Sequence, residues 1–529
     1  MRARTLAALL LVTALGCERA DKDDPTPTPP PPDAVVATVS TASLAKAVGG
    51  IRDYAEAIRP GTGLFVREEL IAASLAREAG AVSLEGLDLA GPVHLILLDG
   101  PTRTVVVGKA ADRAALEKGR GGAHLSVRDG WALVGPKDAV ELVAPWAVPG
   151  LVGARTASAP GSIEATAWID RLMTRHAAAI TEMRQAVVSQ MSAADPQNGA
   201  VMAEYMTAIF NLAGDSARLT ATFLIDGDSA DLDLALVPKP GSALAGFIAA
   251  QKPTDFAAVE TLPAAAPTAM VMAGRLALGP YRKAALAMFT KMMNVGEDQL
   301  FERVFTQLAD LATGDFAAGF SVTPGGVTMI EVIPVSDASA AEKAIREVVV
   351  ATATGTPVSS MGIRLTHTGH PDLARHGGAV IHGVTTTVDL DSAPPLQRDL
   401  LARMYGDGGQ KMHLAFPPGA LIASIGELTL CEQAIDARTG QAARLRLAPS
   451  LASFVQAARA RRDSILFVMD LVALLGTFRA ATLPAAAPPA AGLAAPGVAL
   501  SLGFADRSAH LHITLLAETL RATAALAAP

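Results

Sequence analysis

LTATFLIDGDSADLDLALV at residues 219–237 and VALSLGFADRSAHLHITLL at residues 498–516 decide the fold, because the two stretches align without a gap. Each holds two alternating runs around a polar turn, with Ser229-Ala230-x-Leu232 set against Ser508-Ala509-x-Leu511. Alternation with period two puts one side of a strand against a core, and Asp226-Gly227 is a strong hairpin-turn signal, so each stretch predicts a β-hairpin with one buried face. Leu232, Leu234 and Leu236 match Leu511, Ile513 and Leu515 on the side expected inward, while Asp231 and Asp233 match His510 and His512 on the side expected outward. Residues two apart on a strand share a face. What persists between the two copies is polarity rather than imidazole, so His510 and His512 are expected to line a solvated strand face.

The duplication extends through the chain. HLSVRDGWALV at 124–134 matches HLAFPPGALIA at 413–423 without a gap, and each is followed by a helical pattern. Residues 95–118 match 319–343 with one residue gapped, and the strand-then-helix at 34–58 matches 269–293. Four matches in one order predict a single ancestral unit present twice, with the boundary in the Pro/Ala-rich stretch at 252–267. Each unit reads strand, two helices, hairpin, helix, hairpin, helix, a further strand with helices, and a final hairpin. Strands joined by short turns pair antiparallel, so the expected class is α+β, two tandem copies of an antiparallel sheet covered by helices on one face. Two stretches break the symmetry: an insertion near 353–410, and a Pro/Ala loop at 481–497 that reads as surface.

Upstream of the body, residues 6–17 read LAALLLVTALGC behind Arg2 and Arg4, with the small Gly16 before Cys17. That is the three-part layout of a secretory signal, and an apolar run of roughly ten residues is too short to span a bilayer. The stretch resembles the lipobox of bacterial lipoproteins, with Ala14 where that family usually has Leu. The resemblance implies that Cys17 is acylated and becomes the N-terminus; Glu18 after it implies the outer membrane, since Asp there favours the inner one. Residues 18–33 then carry three aspartates followed by six prolines between Pro25 and Pro32. A polyproline stretch rises about 3.1 Å per residue, so this segment reads as a tether. The expected division is a signal at 1–16, the lipidated cysteine and tether at 17–33, a first repeat at 34–255 and a second at 256–529.

Composition bounds the function. The formal charge is −7, and losing Arg2 and Arg4 with the signal takes it to −9. An acidic chain without a basic block excludes nucleic acid as a partner. With Cys17 acylated, Cys431 has no intramolecular partner and reads as a small buried hydrophobe in a helix. Four of the ten histidines, His367, His370, His376 and His382, crowd the insertion. Imidazole ligates divalent transition metals, so these four are the candidate metal site, with Asp372 beside them, although their spacing fits no known motif. Asp226, Asp228, Asp231 and Asp233 lack the glutamate of a calcium loop and read as a turn. Ser43-Leu44-Ala45-Lys46 fits the S-x-x-K pattern of penicillin-recognising enzymes, but neither S-D-N nor K-T-G follows, and Ser43 reads as a helix cap. Asp170 and Asp470 read likewise.

No G-x-S-x-G, Walker A, G-x-G-x-x-G or H-E-x-x-H motif occurs. No catalytic residue and no organic cofactor is therefore assigned. The reading is a lipid-anchored, non-enzymatic binding or scaffolding module whose partner is an apolar ligand or an envelope protein. Leu286, Met288, Phe289, Met292 and Met293 would form a methionine-rich helix face for such a ligand. The alternative is a metal-assisted hydrolase using the insertion.

Overall fold

The run TVVVG at 104–108 shows why the body has the layers it has: every residue is buried, so this strand has core on both sides. In the computed structural model, Val105 and Val107 enter one apolar cluster with Ile96, Leu133, Val140 and Val143, while Val106 enters another with Leu44, Val48, Leu116 and Val134. The model describes residues 30–527 apart from 101–102, 153–158, 160, 195–198, 276, 278, 280–298, 324–325, 361–362, 394–397, 399–400, 403–404, 406–408, 448 and 476–496. Cys17, most of the tether, the methionine-rich face at 286–293 and nearly all of the Pro/Ala loop lie outside the described residues.

The elements of the first repeat are β1 (Val35–Thr41), α1 (Leu44–Ile58), α2 (Glu68–Glu78), β2 (Val93–Leu98), β3 (Thr104–Lys109), α3 (Arg113–Gly119), β4 (His124–Arg128), β5 (Trp131–Gly135), α4 (Lys137–Ala147), β6 (Ile163–Ala167), α5 (Ile169–Arg175), α6 (Ala177–Ala194), α7 (Gly199–Asp215), β7 (Ser216–Asp226) and β8 (Ser229–Pro238). After α8 (Ala243–Ala250) the second repeat runs β9 (Met270–Gly274), α9 (Gln299–Leu311), β10 (Phe316–Thr323), β11 (Gly326–Pro334), α10 (Ala338–Ala351), β12 (Thr356–Ser360), β13 (Ile363–His376), β14 (Ala379–Asp389), β15 (Gln410–Ala415), β16 (Ala420–Ile425), α11 (Leu428–Thr439), α12 (Pro449–Arg461), β17 (Asp463–Met469), β18 (Val498–Ala505), β19 (Ser508–Leu516) and α13 (Ala517–Ala527).

Two compact units result. The first holds residues up to 180 with 212–245 and 506–521; the second holds the remainder. In the first, all pairings are antiparallel and the strand order is β4-β5-β3-β2-β1-β6-β7-β8-β19. In the second, the order is β12-β13-β14-β15-β16-β11-β10-β9-β17-β18, again antiparallel throughout. The run β15-β16-β11-β10-β9-β17-β18 repeats β4-β5-β3-β2-β1-β6-β7 strand for strand, so the α+β class and the two tandem sheets stand. The insertion supplies β12, β13 and β14, three further strands on the edge that in the first repeat ends at β4.

Helices cover both faces of each sheet rather than one. In the first unit α4 lies on one face, and α1, α2 and α3 lie on the other. In the second, α11 and α12 lie on one face, and α9 and α10 on the other. Apolar residues at consecutive positions of β3 and β5 require this, since a strand covered on one side leaves every second residue in water.

Strand register corrects one alignment. Val106 pairs with Val134 and Glu331 pairs with Ala423, so Glu331 is the counterpart of Val106. Leu95 pairs with Val106 and Ala318 with Glu331, which makes the second repeat two residues longer at this turn, not one. A one-residue shift would exchange the two faces of the strand. Glu331 thus occupies a core-facing position where the first repeat has valine, and burial pushes its carboxyl pKa up. Replacing it, Glu331→Val, is expected to stabilise the protein by on the order of 1 kcal/mol near neutral pH. A raised folded pKa leaves the wild type unpenalised below the unfolded value of about 4.3 and weakens it as pH rises through the folded value. The variant's advantage in melting temperature should therefore shrink on acidification; an advantage that does not change with pH would contradict the assignment.

Candidate functional site

Strands β8 and β19 lie side by side in the first unit, with Asp233 directly opposite His512 and Ala235 opposite His510. The ungapped alignment makes Asp233 and His512 equivalent positions, so the last strand of one repeat meets the last strand of the other at their common midpoint. The turn before β19 is made by Asp506 and Arg507, both with positive φ, as a tight two-residue turn demands. Tyr54 on α1 donates its hydroxyl to the Leu515 carbonyl at 2.9 Å and fastens β19 from the other side. Burial first, and then the charge of Asp231, pushes the Tyr54 hydroxyl pKa up to about 12, so it remains a donor.

The face expected to be solvated is the one that carries the site. Asp233 is 3 % exposed, whereas Leu232, Leu234, Leu236, Leu511, Ile513 and Leu515 on the opposite face are only partly buried. His512 presents Nδ1 to Asp233 Oδ2 at 2.5 Å, and His510 presents Nδ1 to Oδ1 at 3.6 Å. The two rings are stacked, with centroids 6.1 Å apart and planes within 12°. His510 Nε2 lies 2.7 Å from the Ser508 hydroxyl, which holds the ring with its Nδ1 edge toward the carboxylate. Thr514 donates to Asp231 at 2.6 Å, and Ser229 donates to the same carboxylate at 3.1 Å. Burial works against an ionised Asp233, but the two imidazoles outweigh it and hold the carboxyl below the usual range.

This group ends a polar row that crosses the sheet. His94, Ser40, Glu164, Thr222, Asp233 and His512 are successive ladder partners on β2, β1, β6, β7, β8 and β19. Residues directly opposite on neighbouring strands share a face, so the row is continuous. His94 Nδ1 meets the Ser40 hydroxyl at 2.9 Å at its far end.

The histidines of the insertion are distributed among different partners. His367 Nδ1 is 2.9 Å from the Thr386 hydroxyl, and His370 Nε2 is 3.0 Å from that of Thr385. His376 Nε2 lies 2.8 Å from Asp436 on α11. His382 is fully buried, accepts the Asp372 backbone N–H at 3.1 Å and lies 3.6 Å from Glu342. Among the described residues, the structure gathers Asp233, His510 and His512 into a group whose donor atoms all lie within 4.8 Å, and it does not gather these four.

Other candidates take structural places. Cys431 is fully buried, and burial pushes its thiol up to about 12. Ser43 caps α1 by accepting the Lys46 N–H at 3.2 Å. Asp470 accepts the Ala473 N–H at 2.8 Å, as a cap does. Asp170 differs: Trp168 is the cap position of α5, and Asp170 sits in its first turn against the Arg171 N–H. Asp226-Gly227-Asp228 closes the β7–β8 hairpin, with Gly227 at positive φ.

No family model, no curated protein and no solved structure matches the chain.

Proposed function

We propose that the chain is a lipid-anchored envelope protein: Cys17 carries the lipid, residues 18–33 form the tether, and the duplicated body is a non-enzymatic binding or scaffolding module for an apolar ligand or an envelope protein. One observation carries the reading. The body end of the tether is gripped by α5, where Arg171 donates to the carbonyls of Pro31, Pro32 and Val35 at 3.2, 2.9 and 2.8 Å. Arg175 donates to the Asp33 carbonyl at 2.6 Å, and Arg171 packs over the Trp168 ring at 5.2 Å. A proline segment that serves only as a leader has no use for a guanidinium clamp at its far end; a tether that transmits position does. Among the described residues no helix is long and apolar enough to cross a membrane, so the proposed attachment rests on the cysteine. Outer-membrane placement follows from Glu18 through the lipoprotein resemblance. Mass spectrometry of the N-terminal peptide from detergent-extracted protein is the test. The expected result is a peptide beginning at Cys17 with a diacylglyceryl mass added; an unmodified N-terminus at another residue would overturn the anchor.

A further inference from the structure

We infer that Asp233, His510 and His512 form a binding site for one divalent transition-metal ion. Two imidazole nitrogens and one carboxylate oxygen are a common donor set for zinc and its neighbours in the first transition row. Both histidines turn the same ring edge, Nδ1, toward the same carboxylate. The carboxylate is almost completely buried, and a charge there is costly unless it is compensated. Ser508 holds the remaining nitrogen of His510, the arrangement that orients a metal-ligating imidazole.

Distances bear on the fit. Donors around a tetrahedral ion with bonds of about 2.1 Å stand about 3.3–3.5 Å apart. His510 Nδ1 already stands 3.6 Å from Asp233, while His512 Nδ1 at 2.5 Å is at hydrogen-bond separation. Binding therefore requires His512 to draw back by about 1 Å from Asp233. The side chains of His510 and His512 remain 27 % and 16 % exposed, which leaves an approach from solvent. Three protein ligands leave at least one coordination position open, as in sites where the ion meets water or an exogenous ligand rather than serving only to staple the fold.

The histidines come from the second repeat and the carboxylate from the first, so neither copy alone could hold the ion. That explains why equivalent positions carry unlike residues: two copies of Asp-x-Asp would repel across the ladder, and two copies of His-x-His would lack an anionic ligand.

The test uses the full-length chain in detergent, stripped with a chelator and dialysed against zinc or cobalt(II). About one ion per chain is expected, with a visible cobalt spectrum of nitrogen and oxygen coordination. His510→Gln and His512→Gln should each weaken zinc binding at least tenfold with unchanged circular dichroism, while the combined replacement of His367, His370, His376 and His382 by glutamine should leave it intact. If His512→Gln fails to fold, the more exposed His510→Gln decides. Absence of stoichiometric uptake by the wild type, uptake unaffected by His510→Gln, or uptake lost with the insertion histidines would each overturn the site.

Discussion

Gly369→Ala should lower the melting temperature of the protein by about 6 °C or more, from a loss of about 3 kcal/mol. Gly369 lies on β13, where the added methyl would overlap the Val349 carbonyl oxygen of α10 and stand 2.7 Å from the Thr352 hydroxyl. The Gly369 N–H donates to the Thr352 carbonyl at 3.1 Å, so strand and helix backbones are in direct contact and neither can move aside without breaking that bond. The glycine is required for space alone, since its φ lies outside the positive range. Overpacking at such a contact is relieved only by shifting the helix, and α10 also supplies Ala341 and Val349 to the core beneath it. Because the insertion is held to the second unit partly through this contact, the methyl should loosen β12, β13 and β14 first. Hydrogen exchange would show that loss of protection before the global transition. A variant melting with the wild type would mean that β13 does not dock on α10 as described.

Much of this architecture is legible in the sequence because it is local. Hairpins at 219–237, 124–134 and 413–423 carry their turns and alternation within a single short stretch of chain, and all three form. The matching order of strands follows from the repeats, since equivalent segments pair with equivalent segments. Two features escaped for physical reasons. Coverage of both sheet faces depends on where helices of low sequence proximity fall, although the unbroken TVVVG run at 104–108 was a signal for it. The Asp233 site depends on β8 pairing with β19, residues almost three hundred positions apart, and no periodicity records which edges meet. The alignment of the repeats makes Asp233 and His512 equivalents, and shared polarity at equivalent positions points to a solvated strand face. The inference failed because two copies of one edge strand, paired antiparallel, bring equivalent residues together. The insertion histidines lie close in sequence along β13 and β14, yet each ring meets a different neighbour.

Asp233→Ala should cost about 3 kcal/mol at neutral pH, the loss expected when one member of a buried, hydrogen-bonded charge group is removed and its partners stay behind. His512 would lose its 2.5 Å partner and His510 the carboxylate it faces, in a strand whose backbone Tyr54 and the β8 ladder hold in place. The pH dependence follows from the carboxyl pKa, which the two imidazoles hold below its ordinary value against the effect of burial. A depressed folded pKa means that Asp233 stabilises the protein fully above the unfolded value of about 3.9 and loses that contribution as pH falls through the folded one. Wild type and Asp233→Ala should therefore differ most at neutral pH and converge in strong acid, measured by thermal unfolding with chelator present so that ion linkage does not enter the comparison. A difference that persists undiminished through the acid limb would place the cost in lost packing, and Asp233 would then be a spacer between β8 and β19 rather than the charged centre of the group.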